Sequence, residues 1–330
     1  MKEKIPVTIV TGFLGAGKTS LLNMLIKQHP FTKFAIIENE FGELSVDGGL
    51  LATAKENIFE LSNGCICCSL QSEFSTVIDR LLSSPYPFNH LLIETTGIAN
   101  PATVIRPFLE GDKFPFLFEL NAVVCLIDAN NYKNKSNNFH EIHRQIAMSD
   151  TLIINKTDLI TQEELNSLTK ILHTKNPMAT ILPNSYNSID TRKILQAYSY
   201  REQQIASSIF SYTPNHTEHK NDSQLIIQPT TLSHTVESVA FEYETAFDVD
   251  TFSSWIRMFV TLNQQTIFRI KGILCFANLP GKFILQVVGD IVTFESLPDD
   301  TEKNTCSKLV FIGTSIPKTD IEISLRNMLA

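Results

Sequence analysis

Residues 11–20 read Thr11-Gly12-Phe13-Leu14-Gly15-Ala16-Gly17-Lys18-Thr19-Ser20, and Gly12–Thr19 fits G-x-x-x-x-G-K-[ST], the pattern of a phosphate-cradling P-loop. The apolar, β-branched run Ile5–Val10 before it predicts a buried strand. Leu21, Leu22 and Leu25 recur at helical spacing after it, so a helix is predicted to begin near Gly17. Between them the glycines let the backbone turn tightly and aim its N–H groups at a polyphosphate. The positive end of the helix points to the same place. Gly12, Gly15, Ala16, Gly17, Lys18, Thr19 and Ser20 are therefore the candidate nucleotide cradle. Lys18 is placed to reach the β- and γ-phosphates, and the Thr19 hydroxyl to hold magnesium.

Working outward, Lys33–Glu38 is a second apolar run and a second strand. The acidic, glycine-containing stretch Asn39–Leu51 lacks periodicity and is expected to be a loop that senses γ-phosphate and magnesium, with Asp47 as its catalytic candidate. A short strand, Ile58–Leu61, leads into Ser62–Leu70, where Cys65, Cys67 and Cys68 form C-x-C-C after the turn signal Asn63-Gly64. Thiolates are soft ligands suited to zinc and related metals, and three in four positions can converge on one ion. A fourth ligand must come from elsewhere, and Glu38, Glu40 and Glu43 are the candidates; the other reading is three buried cysteines acting as small hydrophobes.

Residues 71–84 show amphipathic helical spacing. The strand Leu91–Ile93 then ends in Glu94, with Gly97 three residues on. A carboxylate at the end of a core strand beside a P-loop is the position that orders magnesium and the attacking water, and the glycine can offer its N–H to the γ-phosphate. A further strand, Ala122–Ile127, ends at Asp128 and is followed by a polar stretch, Asn130–Asn138. His140 and His143 fall at i,i+3 on a predicted helix, a spacing compatible with metal but commoner as plain surface histidines. Thr151–Leu159 is a strand followed by Asn155-Lys156-Thr157-Asp158. This is N-K-x-D, in which the Asp158 carboxylate accepts from N1 and the 2-amino group of guanine, a pairing adenine cannot offer. Lys156 is expected to lie along the base and Asn155 to tie the loop to the P-loop. Ser185, at the end of the segment Thr180–Ser185, a further strand with a loop at its end, is the candidate final base contact.

Alternation of strands and helices over residues 1–205 predicts an α/β domain with a doubly wound, mostly parallel sheet, its ligands at the carboxyl ends of the strands. The chain turns polar from residue 201, and residues 206–234 read as a linker. Residues 235–330 predict a smaller α+β domain, with strands Val236–Tyr243, Ile267–Phe276, Phe283–Val288 and Leu309–Ile312 and helices over 249–262 and 318–329. The formal charge of the 330 residues is −8 and no Lys/Arg cluster stands out, which argues against nucleic acid and anionic membranes as partners. No stretch approaches the roughly 20 apolar residues of a membrane span. The amino-terminal apolar run feeds into the P-loop, so cleaving it as a signal peptide would destroy the site. Six cysteines, three of them together, fit a reducing compartment and a cytoplasmic protein.

With these residues in hand the chain resembles the CobW-type P-loop GTPases, a metallochaperone-related family: GFLGAGKT, ENEFGE followed by VD, GCICC, ETTG-x-A-x-P and NKTD stand in the family's order, and FRIKGIL and KLVFIG look like strands of its second domain. The resemblance implies GTP hydrolysis with magnesium, zinc (or cobalt or nickel) at Cys65, Cys67 and Cys68, and a role in metal homeostasis or in delivery of that metal to a client metalloprotein. A homo-oligomer is compatible with it. Ser20 stands where relatives usually carry Thr, and only His216, His219 and His234 remain where many relatives carry a histidine-rich tract. With no residue to name as an arginine finger, slow unstimulated turnover is expected. The alternative is a nucleotide-binding metal buffer or regulator without obligatory turnover.

Overall fold

The computed structural model describes residues 3–40, 51–55, 58–64, 71–185, 188–211, 236–297 and 307–330. Side chains of 38–40, 51–64, 71–75 and 211 are outside that description. So are Asp47, Glu43, Cys65, Cys67 and Cys68 altogether, while Glu38 and Glu40 are defined by backbone alone.

The chain divides after Gln204 into two compact units. The first runs β1 (Ile5–Gly12), α1 (Lys18–Gln28), β2 (Phe34–Glu40), β3 (Leu51–Lys55), β4 (Ile58–Gly64), α2 (Gln71–Leu82), β5 (His90–Glu94), α3 (Pro101–Leu109), α4 (Phe114–Leu117), β6 (Phe118–Asp128), α5 (Tyr132–Asn138), α6 (His140–Met148), β7 (Thr151–Asn155), α7 (Gln162–Lys175), β8 (Thr180–Asn184) and α8 (Arg192–Leu195). The eight strands lie in the order β3-β4-β2-β5-β1-β6-β7-β8. All neighbours pair parallel except β3, which caps one edge antiparallel to β4. The fold is thus the doubly wound α/β sheet expected.

Because parallel strands bury both faces, their sequences are continuously apolar and alternate between two cores. In β6, Val124 and Leu126 pack with Leu21, Leu22 and Leu25 of α1 on one face. Cys125 and Ile127 pack with Ile142 and Ile146 of α6 and Leu168 and Leu172 of α7 on the other. β1 sits between β5 and β6, so the chain leaves it toward one edge (β2) and later returns past it to the other (β6). That reversal opens a crevice at the carboxyl ends of β1, β5 and β6, where an α/β sheet takes its ligands.

The stretch expected to turn polar from residue 201 instead begins with helix α9 (Glu202–Ser211), in which Ile205 and Ile209 are fully buried. The second unit continues with β9 (Val236–Tyr243), α10 (Val249–Leu262), β10 (Ile267–Cys275), β11 (Lys282–Val288), β12 (Ile291–Leu297), β13 (Ser307–Thr314) and α11 (Lys318–Arg326). Its antiparallel sheet, β12-β11-β10-β13-β9, packs one face on α10 and α11 through Phe252, Ile256, Ile321 and Leu325 against Ile270, Leu285 and Phe311. β12 was not expected; its signal was Gly289-Asp290, a two-residue hairpin turn with Gly289 at φ 62°.

Candidate active site

The P-loop leaves the end of β1 and enters α1 through Gly17, at φ 101°, a conformation few side chains adopt. A Cβ on Gly17 would lie 2.4 Å from Asn155 Nδ2. The bare backbone there lets Asn155 approach and donate to Ala16 O at 2.8 Å. Asn155 thus performs the tie expected of it, and its own Oδ1 is held by Asn184 Nδ2 at 2.9 Å.

Lys18 is buried and donates to Gly12 O at 3.0 Å. Burial lowers its ammonium below the ordinary lysine range; Glu94 and, to a lesser extent, Cys125 oppose that shift. The Thr19 hydroxyl lies 3.2 Å from both carboxylate oxygens of Glu94, across the gap between α1 and the end of β5. Ser20 follows exposed on the first turn of α1. Hydroxyl and carboxylate oxygens meeting at the mouth of the crevice are the hard donor set that suits Mg²⁺.

Beyond Glu94, the Thr95 amide donates to Val10 O at 2.9 Å and its hydroxyl to Thr11 Oγ1 at 2.9 Å, fastening this segment to β1. Gly97 then passes against the P-loop so closely that a Cβ would stand 2.6 Å from Leu14 N. Asn100 caps α3, accepting from the Ala102 amide, with Pro101 in the first turn as expected.

On the other side Lys156, itself at φ 61°, donates to Gly15 O at 2.9 Å and to Asp128 Oδ2 at 2.8 Å. Burial alone would raise the Asp128 carboxyl, but the hydrogen bonds from Lys156 and Asn131 outweigh it and hold the group below the usual aspartate range. Asp158 is exposed one turn on, and Ser185 is half-buried just after β8. The fold therefore collects Gly12, Gly15–Thr19, Glu94, Gly97, Asn155, Lys156, Asp158 and Ser185 at one end of the sheet.

Four participants were not read from sequence: Asp128, Asn184, Lys135 (Nζ to Leu14 O, 2.9 Å) and Gln145 (Nε2 to Gly97 O, 3.0 Å). Only Asp128, a carboxylate closing an apolar strand, left a signal that could have found it. His140 is exposed and His143 buried, and no group of three or more His, Cys, Asp or Glu gathers as a metal site among the described residues.

Glu38 lies on β2 as expected; Glu40, expected in the following loop, ends the same strand. Glu38 is in register with Glu94 of β5 on one side and Ser62 of β4 on the other; Glu40 is in register with Gly64, the residue before Cys65.

Residues 6–183 match the model of the CobW/HypB/UreG nucleotide-binding domain, and residues 236–329 that of the cobalamin synthesis protein cobW C-terminal domain. The zinc chaperone YjiA of Escherichia coli is 27% identical over 98% of both chains. The zinc-regulated GTPase metalloprotein activator 1 of Schizosaccharomyces pombe is 32% identical over 68% of this chain and 55% of its own. The crystal structure of zinc-bound YjiA GTPase, 24% identical, superposes over 99% of this chain and 100% of its own with a TM-score of 0.75, a likeness of fold. With its P-loop, strand-end carboxylate and N-K-x-D in one crevice and a cobW C-terminal domain later in the sequence, this chain belongs to the CobW/HypB/UreG family.

Proposed function

We propose that this protein is a zinc chaperone that hydrolyses GTP and couples the nucleotide to metal held at Cys65, Cys67 and Cys68. The observation that carries the coupling is the strand register. Gly64, which leads into the cysteines, pairs with Glu40 on β2, and Glu38, two residues earlier, pairs with Glu94 on β5. One short stretch of β2 therefore lies between the end of β4, from which the cysteine segment departs, and the carboxylate that faces the P-loop. Glu38 and Glu43 remain the candidates to complete the thiolate shell, and Asp47 the candidate second acid beside Glu94. The relatives' names, zinc chaperone and zinc-regulated GTPase activator, support zinc as cargo and GTP as fuel.

In this reading Asp158 holds the guanine edge, with Lys156 and Ser185 around the base. Lys18 and the amides of Gly15–Thr19 neutralise charge developing on the phosphates. Thr19 and Glu94 would hold magnesium, which supplies further positive charge there. Glu94 orients the attacking water. The thiolate site requires a reducing compartment, for which the cytoplasm is the natural setting, and the metal passes to a client metalloprotein. No helix among the described residues is long and apolar enough to cross a membrane.

The deciding experiment is Glu94→Gln. It removes the charge and keeps the shape, so GTP hydrolysis should fall about 100-fold or more while GDP still binds. Hydrolysis at the wild-type rate would overturn the role of Glu94. Metal delivery unimpaired in a variant that no longer hydrolyses would favour the buffer or regulator instead.

A further inference from the structure

The loop that follows Glu94 is held from two sides, and only one of them is the P-loop. On the other side is Gln145, in the middle of α6 and completely buried. Its Nε2 donates to Gly97 O at 3.0 Å and to Ala99 O at 3.3 Å. Both partners are carbonyls, which only accept, so the amide nitrogen must face them and the amide oxygen must face away. That oxygen, Oε1, has no hydrogen-bond partner among the described residues. Gln145 also lines a cavity of about 20 Å³ bounded by Phe13 and Leu14 of the P-loop, Cys125, and Tyr132 of α5, whose hydroxyl likewise lacks a partner. Such a volume accommodates one water, and a water there can donate to Oε1.

A buried glutamine is an expensive way to fill a core position. Leu or Met would fill the space without polar atoms to satisfy. What it does that they cannot is fix the Gly97 carbonyl. Holding the Gly97 and Ala99 carbonyls fixes the two peptide planes that follow these residues, and the close approach of Gly97 to Leu14 leaves its Cα little room, so the two contacts together restrain the turn that carries the Gly97 amide. We infer that Gln145 is a positioning residue for the γ-phosphate: it holds the Glu94–Gly97 segment where the Gly97 N–H meets the terminal phosphate, so it sets how strongly the site distinguishes GTP from GDP. This rests on the reading of Glu94–Gly97 as the γ-phosphate sensor, and Glu94→Gln tests that reading separately.

The experiment compares Gln145→Met with wild type by titrating the full chain with Mg·GDP and with a non-hydrolysable Mg·GTP analogue. Met keeps the length and packing and removes the donor. The analogue should bind about tenfold more weakly and GDP within about twofold of wild type, since the second nucleotide lacks the phosphate the segment meets. Equal weakening of both ligands, or no change in either, would overturn the inference. A general loss of stability moves both affinities together, so it cannot imitate the expected result. If Gln145→Met does not fold, hydrogen exchange on wild type decides. The Gln145 side-chain amide protons, held by the Gly97 and Ala99 carbonyls, should exchange slowly in the nucleotide-free protein and no more slowly with GDP; fast exchange without nucleotide would mean that no such strap exists. Normal hydrolysis by Glu94→Gln together with selective weakening in Gln145→Met would sink the sensor's proposed chemistry and leave the positioning role standing.

Discussion

His90 illustrates how one buried residue makes stability depend on pH. The Thr8 hydroxyl accepts from Asn121 Nδ2 at 2.8 Å and shares a second hydrogen bond, of 2.9 Å, with His90 Nε2. Burial, aided by the nearby His29, pushes the imidazole from 6.5 down to about 4. As pH falls, the unfolded chain takes up this proton first. Stability is therefore fully present above pH 6.5 and lost progressively toward pH 4, by roughly 3 kcal/mol over the whole window. Urea unfolding at pH 7 and pH 4.5 should show a smaller acid loss in His90→Gln than in wild type; equal losses would mean His90 titrates normally. Gly17 makes a different residue-scale prediction. A Cβ would strike Asn155 Nδ2 and strain a backbone held at φ 101°, so Gly17→Ala should weaken GDP and GTP alike by more than tenfold in nucleotide titration.

Elements position these residues, and they explain what was and was not legible in the sequence. The ends of β7 and β8 are joined through Asn184 to Asn155 and from there to Ala16. Asn184→Ala should therefore loosen the N-K-x-D loop without touching nucleotide, lowering affinity for GDP and GTP together by about fivefold, the worth of one hydrogen bond of about 1 kcal/mol. Loss for only one nucleotide would place Asn184 at the phosphates instead. The P-loop, Glu94 and N-K-x-D were readable because each is a local exception, glycines or charge at the end of an apolar run. Asn184, Gln145 and Lys135 were not, because each acts on a neighbour distant in sequence: 29 positions from Asn184 to Asn155, 48 from Gln145 to Gly97 and 121 from Lys135 to Leu14. Helix α5 was hidden for a related reason. Tyr132–Asn138 has no apolar period, and it is anchored by one buried tyrosine and by Lys135 on the Leu14 carbonyl. α9 began in a stretch whose polarity masked Ile205 and Ile209.

At the scale of the whole molecule the question is whether metal and nucleotide feel one another. β4 ends at Gly64, in register with Glu40 of β2, and β2 pairs in turn with β5, which ends at Glu94, so the segment that carries the cysteines leaves the sheet two strands from that carboxylate. If GTP changes the metal site, linkage requires metal to change GTP affinity by the same factor. Titrating the reduced full chain with cobalt(II), whose absorbance reports thiolate ligation, and displacing it with zinc gives the metal affinity in three states: without nucleotide, with Mg·GDP and with a non-hydrolysable Mg·GTP analogue. A difference of at least about fivefold between the last two is expected, the lower range of measured couplings. Titrating nucleotide at zero and saturating zinc must return the same ratio. Glu94→Gln should reduce it if the carboxylate transmits the effect, whereas Gln145→Met, which weakens the analogue equally at zero and saturating zinc, should leave it unchanged. Metal bound at Cys65, Cys67 and Cys68 with one affinity in all three states would make the cysteines a structural site or a buffer, and GTP hydrolysis would then have to serve some step other than loading or releasing zinc.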